Sequence, residues 1–181
     1  MIRLSMLVWA LSLAIPAQAT SVRSASLDDL IQMSTSVIRG QVVGSSAAFR
    51  GSLIYTHYTI QVLDRWKGGA AAQVDVQIPG GTVSGLQQNV AGAPQLVLGG
   101  QYVFFLWTGP SGANYPLGLS QGVLDVSSDA AGNTIVTMQA SEALALSPVT
   151  SAVASQVSPQ MKLTDFGARV SSVLRGGSNT Q

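Results

Sequence analysis

The chain of 181 residues carries 9 Lys and Arg against 8 Asp and Glu, charged residues make up only 9% of it, and it contains no cysteine. The low and balanced charge excludes the basic footprint of a protein that binds nucleic acid or anionic lipid. The lack of cysteine excludes disulfides, thiol nucleophiles and thiolate metal sites. A surface with so little net charge favours self-association.

Residues 1–19 have the pattern of a secretory signal peptide, with Arg3 followed by an apolar run from Leu4 to Ile15 and small residues at the end. The run is shorter than the roughly 20 residues that a membrane-spanning helix needs. We therefore predict cleavage after Ala19 and an exported protein, periplasmic or extracellular, that starts at Thr20 and has no transmembrane segment. Removal of Arg3 leaves as many basic as acidic residues.

The β-barrel domain predicted for residues 20–139 begins with a short helix. Ser26 and Asp29 have the spacing of a capping box, which predicts a helix from Leu27 to Ser34. The β-branched, apolar stretch from Val37 to Val43 then predicts the first strand of the barrel.

The serine- and alanine-rich residues Ser45 to Ser52 predict a loop, and the clearest strand pattern follows it. Two sets of side chains alternate there: Ile54, Tyr58, Ile60 and Val62 on one face, and Tyr55, His57, Thr59 and Gln61 on the other. Asp64 would break this alternation, so we predict a bulge near Leu63. A period of two at Val74, Val76 and Ile78 predicts the third strand.

Thr82 to Gln95 is predicted to be a long ordered loop or a loose hairpin, and such segments often carry function. The apolar run from Tyr102 to Trp107 predicts a strand buried on both faces, at the centre of the core. Shorter strands are predicted at Leu96–Leu98, Tyr115–Leu119, Gly122–Val126 and Thr134–Met138. Asp129 to Asn133 is predicted to be a hairpin loop.

The C-terminal part is predicted to comprise a connector over residues 140–162, a helix over 163–176 with Thr164 as its N-cap, and a tail over 177–181. The predicted fold class is all-β with short flanking helices. Its architecture is an OB-like, partly open antiparallel β-barrel of about five to seven strands.

The segments VIRGQVV, YTHYTIQVLDRWKGG, VDVQIPGG, LVLGGQYVFFLW and YPLGLSQGVLDV together resemble a family of small exported bacterial proteins with no assigned activity. The resemblance covers Leu27 to Val126 and implies an exported sheet protein without naming a chemistry. More weakly, the order of these motifs is similar to the netrin-like, metalloprotease-inhibitor type of OB barrel. Those inhibitors use an N-terminal cysteine and disulfides, which this chain lacks, so this resemblance implies the barrel and not the inhibition.

Residues with reactive side chains are few. His57 is the only histidine, and a lone histidine does not make the usual zinc site, nor does a G-x-S-x-G elbow supply a serine beside it. The carboxylates fit helix caps, turns and strand surfaces, and Asp125 and Asp129 lack the spacing of a calcium loop. Gly80 to Gly85 lacks the lysine and hydroxyl residue of a phosphate-binding loop and is interpreted as a turn.

Trp66, Trp107 and Tyr115 either pack in the core and at its rim or form an aromatic platform for a sugar or a peptide. We predict no catalytic residue, metal ligand or cofactor. The candidate binding surface comprises Tyr55, His57, Thr59, Val83, Leu86 and Val90.

The sequence thus favours a non-enzymatic exported domain that binds a protein or another extended ligand, through a strand edge or through the segment from Thr82 to Gln95. One alternative is a self-associating structural protein of the cell envelope. Another is a module like a protease inhibitor, or an unrecognised hydrolase.

Overall fold

Ten strands and two α-helices make up the part of the chain that the computed structural model describes, residues 25–139 and 160–177. The helices are α1, Leu27–Met33, and α2, Leu163–Gly176. The strands are β1 Ser36–Arg50, β2 Leu53–Lys67, β3 Gln73–Pro79, β4 Gly81–Val83, β5 Leu86–Gln88, β6 Gln101–Thr108, β7 Asn114–Pro116, β8 Val123–Ser128, β9 Thr134–Met138 and β10 Gln160–Lys162. A 3-10 helix, Leu119–Gly122, leads into β8.

Eight of the strands form one sheet in the order β1-β2-β3-β7-β6-β8-β9-β10, and β4 pairs with β5 in a separate hairpin. The sheet closes on itself because β1 also pairs with β6, which gives a ring of five strands. Neighbours in the ring are antiparallel except β3 and β7, which are parallel and meet at the single pair Val76 and Asn114. The ring is therefore a partly open, OB-like arrangement and not a regular barrel. The predicted fold class is confirmed, with a mixed sheet in place of an antiparallel one.

Strand β6 separates two hydrophobic clusters, because its side chains alternate between the two faces of the sheet. Phe104 and Leu106 lie in the cluster inside the ring, the ring core. Val103 and Phe105 lie in the cluster beneath the helices, the helix core. The predicted burial on both faces is confirmed for these residues, whereas Trp107 at the end of the strand is 44% exposed. Partners of β6 in the ring core are Ile38, Val42, Ile60, Val76 and Ile78.

Helix α2 closes the helix core through Phe166, whose side chain is 0% exposed. Its ring lies 5.0 Å from that of Trp66 and 5.9 Å from that of Phe105, in edge-to-face geometry. Leu30 and Ile31 of α1 fill the same cluster. The C-terminal helix and the β-strands therefore share one core.

Bulges interrupt the regular pairing of β1 with β2, two strands that contribute side chains to both cores. The register shifts between Arg39 and Gly40, where Leu63 of β2 is the extra residue, so the bulge predicted near Leu63 is confirmed. A second shift leaves Trp66 as an extra residue and accompanies its packing against α2. Gly40 allows close strand approach, since a Cβ there would lie 2.3 Å from Cγ2 of Ile60.

The predicted loop from Ser45 to Ser52 is wrong, because β1 continues to Arg50 and the chain turns only around Gly51. Ser45 pairs with Tyr58, and the ladder continues to the end of β1. Serine and alanine give no strand signal of their own, so their pairing with β2 decides the conformation.

Other boundaries also differ from the sequence predictions. No strand forms at Leu96–Leu98, and the segment predicted from Tyr115 divides into β7 and the 3-10 helix. Lys162 and not Thr164 is the N-cap of α2, because that helix begins two residues earlier than a cap at Thr164 would place it. In the predicted connector, residues 160–162 form β10 beside β9, and the remaining residues lie outside the described part of the chain, as do the predicted signal peptide and residues 178–181.

Helix α1 is fixed at both ends. The backbone N–H of Asp29 donates to Oγ of Ser26 at 3.2 Å and the Asp29 carboxylate accepts from the Ser26 N–H at 3.1 Å, which is the predicted capping box. At its other end, Nζ of Lys67 donates to the carbonyls of Ile31 and Gln32 at 2.8 and 3.0 Å. A cation at this end also interacts favourably with the helix dipole.

We expect Phe166→Ala to lower the free energy of unfolding by about 3 to 5 kcal/mol, because it empties the centre of the helix core. Phe49→Ala is the matched control, since Phe49 is 51% exposed, and it should cost under about 1 kcal/mol. Urea unfolding followed by circular dichroism measures both. Equal losses for the two variants would contradict the shared core.

Candidate functional site

A cleft of about 730 Å³ lies at one end of the ring. Thr56 and Tyr58 of β2 and the end of β3 form one wall, and the β4–β5 hairpin and the segment 89–95 form the other. Ser120 of the 3-10 helix also lines it and is 5% exposed. The volume lies within the range of sites for small ligands.

Hydrogen bonds attach the β4–β5 hairpin to β2. Oε1 of Gln88 accepts from the N–H of Ile54 at 2.6 Å, and Oγ1 of Thr56 donates to the carbonyl of Gly80 at 2.8 Å. Gly81 permits the approach, because its φ is +134° and a Cβ would lie 2.4 Å from Oγ1 of Thr56. The segment predicted as an ordered loop or a loose hairpin thus begins with a hairpin.

The segment that follows the hairpin is also anchored. The N–H of Ser120 donates to the carbonyl of Gly92 at 2.9 Å, and the N–H of Ala93 donates to the carbonyl of Val90 at 3.1 Å. Pro94 and Leu96 are buried at its end. These contacts hold the second wall of the cleft against the body of the ring.

None of the described residues that line the cleft carries a charge. Its polar groups are amides and hydroxyls, which both donate and accept hydrogen bonds. The amides belong to Gln87, Gln88, Asn89 and Gln95, and the hydroxyls to Thr56, Tyr58, Thr82 and Ser120. A charged ligand would lose hydration here without meeting an opposite charge, whereas a neutral ligand rich in hydroxyl or amide groups would find partners.

Tyr58 lies at the boundary between the cleft and the ring core. Burial raises the pKa of its hydroxyl above the usual 10.0, and repulsion from Tyr102 raises it further. The hydroxyl is therefore a neutral hydrogen-bonding group over the ordinary pH range.

The predicted face with Tyr55, His57 and Thr59 lies on the opposite side of β2 from the cleft. Nδ1 of His57 is 3.0 Å from Oδ2 of Asp75, and their side chains are 35% and 50% exposed. Nε2 of Gln77 donates to the same carboxylate oxygen at 3.5 Å. This is a hydrogen-bonded pair on the surface of the sheet, beside a shallow depression that Ser111 also lines.

The structure does not bring the six predicted binding residues together. Val90 lines the cleft, while Val83 and Leu86 pair with each other at the turn of the hairpin, where Leu86 is 63% exposed. The sequence assigned Tyr58 to the core and overlooked the glutamines and asparagine of the cleft. Their clustering between Gln87 and Gln95 was the available signal.

The three predicted platform aromatics separate into two groups. Trp66 packs into the helix core against Phe166. Trp107 and Tyr115 lie side by side with their rings 6.1 Å apart, and the guanidinium of Arg50 donates to the Tyr115 hydroxyl. A single platform of all three is therefore absent from the described residues.

Asp129, which the sequence places in a hairpin loop, accepts hydrogen bonds within the turn between β8 and β9. Asp129 accepts from the backbone N–H groups of Ala131 and Asn133 at 2.9 and 2.8 Å and from the Asn133 side chain at 2.8 Å. These bonds, those from Asn133 foremost, lower its pKa. Asp125 instead accepts from Gln139 at 2.9 Å.

Comparisons with protein-family models, with curated proteins and with solved structures return no match. The resemblances inferred from the sequence motifs therefore remain predictions. Among the described residues, neither helix has the length and apolar character to cross a membrane.

The raised pKa of Tyr58 predicts a loss of stability in alkaline solution. Because the pKa is higher in the folded state, the contribution of this hydroxyl to the free energy of unfolding is fully present below the unfolded pKa of about 10. That contribution is lost as pH rises through the folded pKa. We expect Tyr58→Phe to keep more of its neutral-pH stability above that pH than the wild type does. Urea unfolding at neutral and alkaline pH measures this, and equal relative losses would contradict it.

Proposed function

We propose that this protein is an exported, non-enzymatic binding module that takes an uncharged, hydrogen-bonding ligand in the cleft. The observation that carries the proposal is the uncharged lining of a cleft of about 730 Å³. Amide and hydroxyl groups complement the hydroxyls of a neutral sugar chain, which is the ligand class that we put first.

The attachment of both walls supports this proposal. A binding site loses less affinity to ordering when its walls are already held in place. Gln88 fixes the hairpin to β2, and Gly92 fixes the following segment to the 3-10 helix. The ligand would therefore enter a cleft that is largely formed beforehand.

Export and the lack of catalysis are parts of the same proposal. The signal-peptide pattern of residues 1–19 supports export to the periplasm or the cell exterior. The lining of the cleft holds neither a histidine nor a carboxylate among the described residues, which favours binding over hydrolysis at that site.

Binding to neutral and acidic oligosaccharides tests the cleft, with isothermal titration calorimetry as the measurement. We expect neutral oligosaccharides to bind and Asn89→Leu with Gln95→Leu to weaken their binding at least tenfold, because the substitutions leave buried ligand hydroxyls unpaired. Gln73→Leu, outside the cleft, is the matched control and should leave binding unchanged.

The outcome that contradicts the ligand class is equal or tighter binding of acidic sugars, or no binding of neutral sugars at millimolar concentration. An equal loss in the Gln73→Leu variant would show that the cleft is not the site. Titration with neutral peptides shows whether the cleft prefers ligands with amide groups to ligands with hydroxyl groups.

Export has its own test. Expression of the full chain in a Gram-negative host should yield a periplasmic or secreted product that begins at Thr20, as mass spectrometry of the intact protein would show. Deletion of residues 2–19 should leave the protein in the cytoplasm. An exported product that retains Met1 would contradict the predicted cleavage.

A further inference from the structure

The second half of β1 is an open strand edge. Its first half, from Ser36 to Gln41, lies between β2 and β6. At Val42 the backbone still exchanges hydrogen bonds with Gly99 and Gly100, but β6 does not continue past that turn. From Gly44 to Arg50, β2 is the only strand that pairs with β1 among the described residues.

The hydrogen bonds that β2 makes on its other side show which backbone N–H and C=O groups of β1 point away from β2. Ile54 accepts from Gly80, and Val62 donates to Ala72, so the even-numbered residues of β2 direct their backbone groups away from β1. Their partners on β1 must likewise face away from β2. These outward residues are Ser45, Ala47 and Phe49, which pair with Tyr58, Thr56 and Ile54.

This edge lacks the devices that usually protect an exposed strand. Such strands carry lysines, prolines or inward charges, or another element covers them. The segment from Gly44 to Phe49 contains no charge and no proline, and Arg50 is the single charged residue, at its end. Phe49 is 51% exposed, and Leu53, which pairs with Arg50 on the other face of the ribbon, is 44% exposed.

We infer that this edge is a self-association site, at which β1 of a second copy of this chain pairs antiparallel about a two-fold axis at Ala47. In that register Ser45 faces Phe49 of the other copy, and Ala47 faces its own equivalent. All three outward residues then exchange backbone hydrogen bonds, about six in total. The axis makes one surface complementary to itself.

Charge permits a second copy at this edge and favours the antiparallel direction. In the antiparallel register each Arg50 faces Gly44 of the other copy, so the two guanidinium groups lie about 20 Å apart along the sheet. A parallel pairing would place them side by side. The balanced charge of the chain adds little long-range repulsion between copies.

The proposed interface is small, so we expect the dimer to be weak. Seven residues of one strand bury less than the 1,200 Å² or so of a stable complex, so we expect a reversible dimer at micromolar or higher concentration. Gly81 of the cleft lining lies next to Ala47, so the edge adjoins the cleft, but the inference does not rest on the proposed function, because none of the described cleft-lining residues belongs to β1.

Sedimentation equilibrium of the exported form measures the dimer. Ala47→Pro should raise the dissociation constant at least tenfold, because it removes an outward N–H without touching the ladder to β2. A thermal melt is the control for its folding. A wild type that stays monomeric at millimolar concentration, or an unchanged constant in a folded Ala47→Pro variant, would overturn the inference.

Two charge variants test the register without proline. Ser46 faces Ala48 of the other copy, so Ser46→Asp with Ala48→Asp sets like charges opposite each other twice and should weaken the dimer at least tenfold. Ser46→Asp with Ala48→Lys sets opposite charges there and should restore it. Equal dissociation constants for these two variants would overturn the proposed pairing.

Discussion

The burial of β6 on both faces is the constraint on which the rest of the structure depends. A strand in this position must be apolar at every residue, and Val103 to Leu106 are each 0% exposed. One face completes the ring core, and the other receives α1 and α2. β6 pairs with β1 along one edge and with β7 and β8 along the other, and β1 also contributes to both cores, through Ile38 to the ring core and through Val37 to the helix core.

The features that the sequence predicted well are those that a core imposes locally. Continuous apolarity identified β6, and alternation identified β2 and β3, because each pattern follows directly from which faces are buried. Even the bulge at Leu63 was predictable, since Asp64 would otherwise have pointed inward.

The features that the sequence did not predict depend on distant partners. Residues 45–50 form a strand because β2 pairs with them, although their own composition favours a loop. The cleft joins Thr56 and Tyr58 to amides more than 25 positions away and to Ser120, so its membership follows from topology. Its hydroxyl and amide groups also lack a spacing that would distinguish a site from a polar loop.

A third register shift, between Val42 and Gly44, leaves Val43 as an extra residue of β1, and this bulge has a consequence for how the protein can change over time. It marks where β1 passes from pairing with two strands to pairing with β2 alone, and the described residues of β1 beyond it belong to neither core. Residues added or removed in pairs at Gly51 would keep every inward side chain on its face and the alignment of the ring intact. The turn end of the β1–β2 hairpin can therefore change in length while the ring keeps its structure.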